Sequence, residues 1–102
     1  MPTIYEYKGL IFKFFSDEHY PISIHVTKGK YGNIYELVLV NNQFVELNKY
    51  RKKGAEYLPY RYSKRAEEMI RANYQDIVNK WIDYFVRNIF IKPVKIIKKT
   101  QL

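Results

Sequence analysis

Pro21-Ile22-Ser23-Ile24-His25-Val26 is the stretch from which the fold is read. Successive side chains of an extended chain point to opposite faces, so Ile22, Ile24 and Val26 share one side while Ser23 and His25 share the other. This predicts a strand with one buried, apolar face. Just ahead of it, Ser16-Asp17-Glu18-His19-Tyr20 has the polar composition of a turn. A fold-back there carries His19 toward Ser23 and His25, gathering both histidines of the chain into one polar site.

Upstream, residues 10–15 alternate Leu10, Phe12 and Phe14 with Ile11, Lys13 and Phe15, which suits a strand covered on one side and partly on the other. Residues 3–7 form a shorter extended run that meets it through a turn at Lys8-Gly9. Downstream, Lys28-Gly29-Lys30-Tyr31-Gly32-Asn33 reads as a loop with two glycines open to positive φ. Residues 34–40 and 43–47 are strand-like, and Asn41-Asn42 joins them as a tight hairpin. The alternation then lapses over 49–62, an irregular connection.

Ser63 is the expected N-cap of a helix, without a capping box because Ala66 stands where Glu would close it. Ala66, Ile70, Tyr74, Ile77, Trp81 and Phe85 then recur at helical spacing as far as Asn88. This predicts one long helix over 63–88, or two shorter helices divided near Asn73, with Trp81 buried against Phe12, Phe14 or Ile24. Glu67 and Arg71, Asp76 and Lys80, and Asp83 and Arg87 are acid-before-base pairs at i,i+4 on its exposed side. Residues 89–99 return to extended character around Pro93, which suits a sheet edge. The fold class is therefore α+β: a bent antiparallel sheet, one long or two shorter helices packed on one face, and a short extended C-terminal segment. Residues 1–88 are expected to form a single compact domain and 89–102 a basic C-terminal extension.

With 102 residues the chain is one small domain, and its 47% hydrophobic content is too high for disorder. It has no cysteine, so disulfide scaffolds and thiolate sites are excluded. Its first residues do not have the pattern of a signal peptide, and no apolar run is long enough to span a membrane; a cytoplasmic protein is expected. Charge is uneven. Residues 1–48 carry four lysines against five acids, a net −1, whereas 49–102 carry fourteen Lys and Arg against five acids, a net +9. A basic face of this kind meets nucleic acid or an acidic protein, or simply solvates the fold.

The candidate chemistry is sparse. His19 and His25 lack a dependable third metal ligand beyond Asp17 or Glu18, and a neutral serine hydroxyl at Ser23 is a poor substitute. Ser23 and His25 share a strand face, but no oxyanion loop or third group accompanies them. Gly29 and Gly32 are not followed by the Gly-Lys-Ser/Thr ending of a phosphate loop. The segment with the clearest binding chemistry interleaves cations and rings: Lys49, Tyr50, Arg51, Lys52 and Lys53, then Tyr60, Arg61, Tyr62, Lys64 and Arg65. That pattern grips phosphates and stacks bases, although it matches no named nucleic-acid module.

Met1-Pro2-Thr3-Ile4, the run from Gly9 to His19, the 21–26 strand and Ile77-Val78-Asn79-Lys80-Trp81-Ile82-Asp83-Tyr84-Phe85 together resemble a small bacterial family catalogued as domain of unknown function 4160. The resemblance spans most of residues 1–88. Its pattern is a polar turn ending in His, a Pro-led segment entering a His-x-His strand, and a helix closing on Trp-x-x-Tyr-Phe. His19, Pro21, His25, Trp81, Tyr84 and Phe85 stand at the matching places, and Ser23 stands where the first His of the pair is expected. The resemblance implies a polar site of His19, Ser23 and His25 and an accessory or antitoxin-like role, with no mechanism attached.

Two functions of different class follow. One is a non-enzymatic binding or regulatory protein acting through the basic surface, with a protein partner ranked ahead of nucleic acid, a homo-oligomer compatible, and no membrane or cofactor involved. The other is a minimal metal-dependent enzyme centred on His19 and His25.

Overall fold

The computed structural model describes residues 2–14 and 21–96. Six strands form one sheet in the order β5-β4-β3-β2-β1-β6. They are β1 (Thr3–Tyr7), β2 (Leu10–Phe14), β3 (Ile22–Lys28), β4 (Tyr31–Val40), β5 (Gln43–Arg51) and β6 (Val94–Ile96). Two helices, α1 (Tyr60–Ala72) and α2 (Tyr74–Trp81), lead into a π-helical turn at Ile82–Val86. They pack on one face of the sheet, as the apolar stripe requires. The first five strands pair antiparallel with their sequence neighbours, and β6 adds in parallel beside β1 at the edge.

The registers explain which face is covered. Phe12 pairs with Val26, Phe14 with Ile24, and Ile24 with Tyr35, so these buried side chains stand in rows under the helices. Trp81 is 3% exposed in the same core, and its ring lies 5.5 Å from Phe85, which in turn meets Phe14 edge-on at 5.8 Å. Ser23, His25, Lys13, Ile34 and Tyr50 belong to the opposite face, which no helix of the described residues covers.

Several local expectations are corrected. The 28–33 loop shrinks to Gly29-Lys30, because Gly32 and Asn33 already pair in β4. Gly32 has no positive φ; its role is steric, since a Cβ there would stand 3.2 Å from His25 Nε2. The strand expected over 43–47 runs to Arg51, so Lys49, Tyr50 and Arg51 are strand residues rather than parts of an irregular connection. Being at the sheet edge, β5 carries polar residues that hide its alternation. Helix α1 starts at Tyr60, three residues before the expected cap, with Pro59 as its N-cap residue.

Ser63 instead lies inside α1 and joins a polar cluster beneath it. Asn33 Nδ2 donates to the Tyr35 hydroxyl at 2.9 Å, Tyr35 donates to Glu67 at 3.0 Å, and Ser63 donates to the same carboxylate oxygen at 2.8 Å. Glu67 is thereby turned toward Lys49, 3.7 Å away, and not toward Arg71. Asp76 with Lys80 and Asp83 with Arg87 pair as the i,i+4 spacing predicts. Of the two helical alternatives, the chain takes the divided one. Asn73 leaves the helical region at φ −124° and its Nδ2 donates back to the Met69 carbonyl at 3.0 Å.

The helical segment stops at Asn88, whose φ of +56° is left-handed. Ile89 N–H closes the end on the Asp83 carbonyl at 2.7 Å, a six-residue return of the kind that finishes helices. Asn41 and Asn42, at φ +53° and +64°, form the tight hairpin expected of them. Beyond residue 88, Ile91 and Ile96 are buried and β6 hydrogen-bonds to β1.

Candidate functional site

Antiparallel strands send alternate turns to the same end of a sheet. Lys8-Gly9, Gly29-Lys30 and the segment after Arg51 therefore share one end. The chain is strapped there: Gly32 N–H donates to the Glu56 carbonyl at 2.8 Å, Glu56 N–H to the Lys30 carbonyl at 3.3 Å, and Leu58 N–H to Asn33 Oδ1 at 2.9 Å. Those bonds fix where α1 begins, and so bring its first turn to the same end. With Lys8, Lys28, Lys30, Lys52, Lys53 and Arg61 on these pieces, the end is strongly basic.

Tyr62 is its centre. The ammonium of Lys28 lies 5.0 Å from the ring centroid, and the guanidinium groups of Arg61 and Arg65 lie 4.9 and 5.8 Å from it. Arg61 also donates to the Tyr62 hydroxyl at 2.9 Å. That hydrogen bond, with the charges of Arg61, Lys28 and Arg65, holds the Tyr62 phenol below its ordinary pKa. The attraction of each cation to the ring face offsets part of the repulsion among the three. Nearby, Lys30 pairs with Glu56 at 3.2 Å.

The ten basic and aromatic residues singled out in the sequence are distributed between several environments. Arg61, Tyr62 and Arg65 converge. Lys49 points to the helix side, where it meets Glu67 and lies 5.9 Å from the Tyr57 ring. Tyr50 points to the uncovered side and donates to Glu36 at 3.2 Å. Tyr60 is 79% exposed at the first position of α1. Arg51, Lys53 and Lys64 are exposed. Lys28 was missed by the sequence argument, as were Lys8 and Lys30; the available signal was the Lys-Gly and Lys-Gly-Lys composition of two tight turns.

Of the polar site, His19 lies outside the described residues. Ser23 and His25 lie on the uncovered sheet face, two apart on β3, and Ser23 Oγ donates only a long 3.5 Å bond to the Pro21 carbonyl. His25 pairs across the sheet with Lys13 and Ile34 and is 9% exposed. Burial, and then the charges of Lys52 and Lys13, push its imidazole down to a pKa of about 4. Among the described residues no three His, Cys, Asp or Glu side chains come together as a metal-ligand group. A groove of about 580 Å³ beside the β4–β5 turn is lined by Leu37, Leu39, Val78 and Ile82 with Glu36, and brings no nucleophile and base together.

Residues 9–82 match the family described as Domain of unknown function (DUF4160). The chain belongs to the DUF4160 family. The matched span runs from the β1–β2 turn to the end of α2, so the DUF4160 segment holds the Tyr62 cluster and His25 together. No curated protein and no solved structure matches the chain. No helix among the described residues is long and apolar enough to cross a membrane.

Proposed function

We infer that this DUF4160 protein is a non-enzymatic binding or regulatory protein that engages an acidic macromolecular partner through its basic end. The observation that carries this is the convergence of Lys28, Arg61 and Arg65 on Tyr62, at an end where three strand termini add further lysines. Such a field attracts anionic partners over distances of about a Debye length, roughly 8–10 Å at ordinary salt. An accessory, antitoxin-like role is the regulatory form of this function, with the partner supplying any activity.

The test is recovery of partners on the full-length chain at low and high salt, beside a variant with Lys52, Lys53, Arg61 and Arg65 changed to Gln. Expected is a salt-sensitive interaction that the variant weakens by at least about tenfold, the scale of one or two lost charge contacts. Unchanged recovery by the variant shows that the charge only solvates the surface.

A further inference from the structure

We propose that the basic end binds single-stranded nucleic acid, with Lys28, Arg61 and Arg65 holding backbone phosphate and Tyr60 stacking on a base. This rests on the reading of that end as the binding surface and names its ligand. The cation cluster is short of anions. Among the described residues the carboxylates in ion pairs are taken elsewhere, Glu56 by Lys30, Glu67 by Lys49, Asp76 by Lys80 and Asp83 by Arg87. Lys28, Arg61 and Arg65 crowd one ring, and none of the ion pairs among the described residues joins them to a carboxylate. An anion brought between them relieves their repulsion and takes several charge-assisted hydrogen bonds at once.

Charge alone suits any polyanion; the aromatic beside it selects among them. Tyr60 directly precedes Arg61 and presents 79% of its surface to solvent, while Tyr57, 48% exposed, stands a short step back along the chain. A bare ring next to a phosphate-binding cluster is the pairing by which strands with unstacked bases are held. A duplex offers phosphates but no open base face, and an acidic peptide offers carboxylates but no base. Lys8, Lys52 and Lys53 at the same end extend the charge beyond one phosphate. Lysine-rich surface is also depleted in protein–protein interfaces and enriched in those with nucleic acid.

The experiment measures fluorescence anisotropy of a labelled oligothymidylate of about 12 nucleotides on the full-length protein, at about 50 mM and about 200 mM salt. A duplex of equal length and a polyglutamate peptide are run beside it. Expected are tighter binding to the single strand than to the duplex, and about tenfold weaker binding by Tyr60→Ala that Tyr60→Trp restores. The Lys28→Gln, Arg61→Gln, Arg65→Gln triple variant should lower the log–log salt slope by about 2. Tyr60 is exposed, so its substitution leaves the fold intact. Equal affinity for the duplex, or an unchanged Tyr60→Ala variant, overturns the proposal. Binding of polyglutamate without the oligonucleotide overturns the nucleic-acid assignment and leaves the basic end as a protein-docking surface. Binding of neither overturns both.

Discussion

At the residue scale, His25 shows how a sheet face without a helix still withholds a side chain from water. Lys13 stands opposite it on β2, Ile34 on β4, and the Lys52 stem passes over Gly32 beside it. The ring is held neutral, with its pKa lowered from 6.5 to about 4 by burial first and the two lysines next. The linkage follows from the sign of that shift. Between about pH 6.5 and about pH 4 the unfolded chain binds a proton that the folded chain refuses, so stability is full above this window and falls as the solution is acidified through it. After solvent screening the loss from this one group is about 1 kcal/mol between about pH 7 and about pH 5, or a melting temperature lower by about 5 °C. A His25→Gln variant should lose less on the same acidification, and thermal melts at the two pH values measure the difference. Equal slopes for both proteins would show that another group carries the acid sensitivity.

At the element scale, the helical segment was legible in its apolar spacing but not in its ends. Trp81, Phe85 and Ile77 fall on the stripe as periodicity requires, because burial imposes the pattern directly. The start differs since Ser63 has the chemistry of a cap, yet a tertiary contact with Tyr35 and a bond within the helix to Glu67 employ its hydroxyl, and Pro59 with its fixed φ opens the helix instead. Burial raises the Tyr35 phenol to a pKa of about 12, against the hydrogen bonds of Ser63 and Asn33, which lower it. The C-terminal half of β5 was hidden for another reason: Lys49, Tyr50 and Arg51 alternate without an apolar face, and only the register with Tyr35, Ile34 and Asn33 reveals them as strand. Trp81 fastens α2 to the sheet through Phe85 and Phe14. Trp81→Ala should therefore cost about 3–5 kcal/mol, seen as a lower denaturant midpoint. A midpoint within error of the parent would place the helix's anchoring elsewhere on the stripe.

At the scale of the whole molecule, strand order places the charge and the final strand together. Charge counted along the chain assigns the basic character to the second half, whereas the fold returns Lys8, Lys28 and Lys30 from the first half to the same end. No sequence window shows this, because the residues meet only through the alternation of antiparallel turns. The closing strand is a second long-range feature. Tyr5, Glu6 and Tyr7 of β1 pair in parallel with Val94, Lys95 and Ile96, covering what would otherwise be an open edge. Ile91 and Ile96 bury their side chains on the way. Each buried isoleucine contributes about 1.5–3 kcal/mol, so together they represent a large part of the 5–15 kcal/mol typical of a small domain, roughly. A chain ending at residue 90 should consequently unfold at a markedly lower urea concentration and expose β1 to association with other copies. Equilibrium urea unfolding together with light scattering measures both effects. A truncated chain with the parent's midpoint would mean that β6 rests on the core without supporting it; a lowered midpoint restored by no added salt would separate this loss of apolar burial from the charge that the segment also carries.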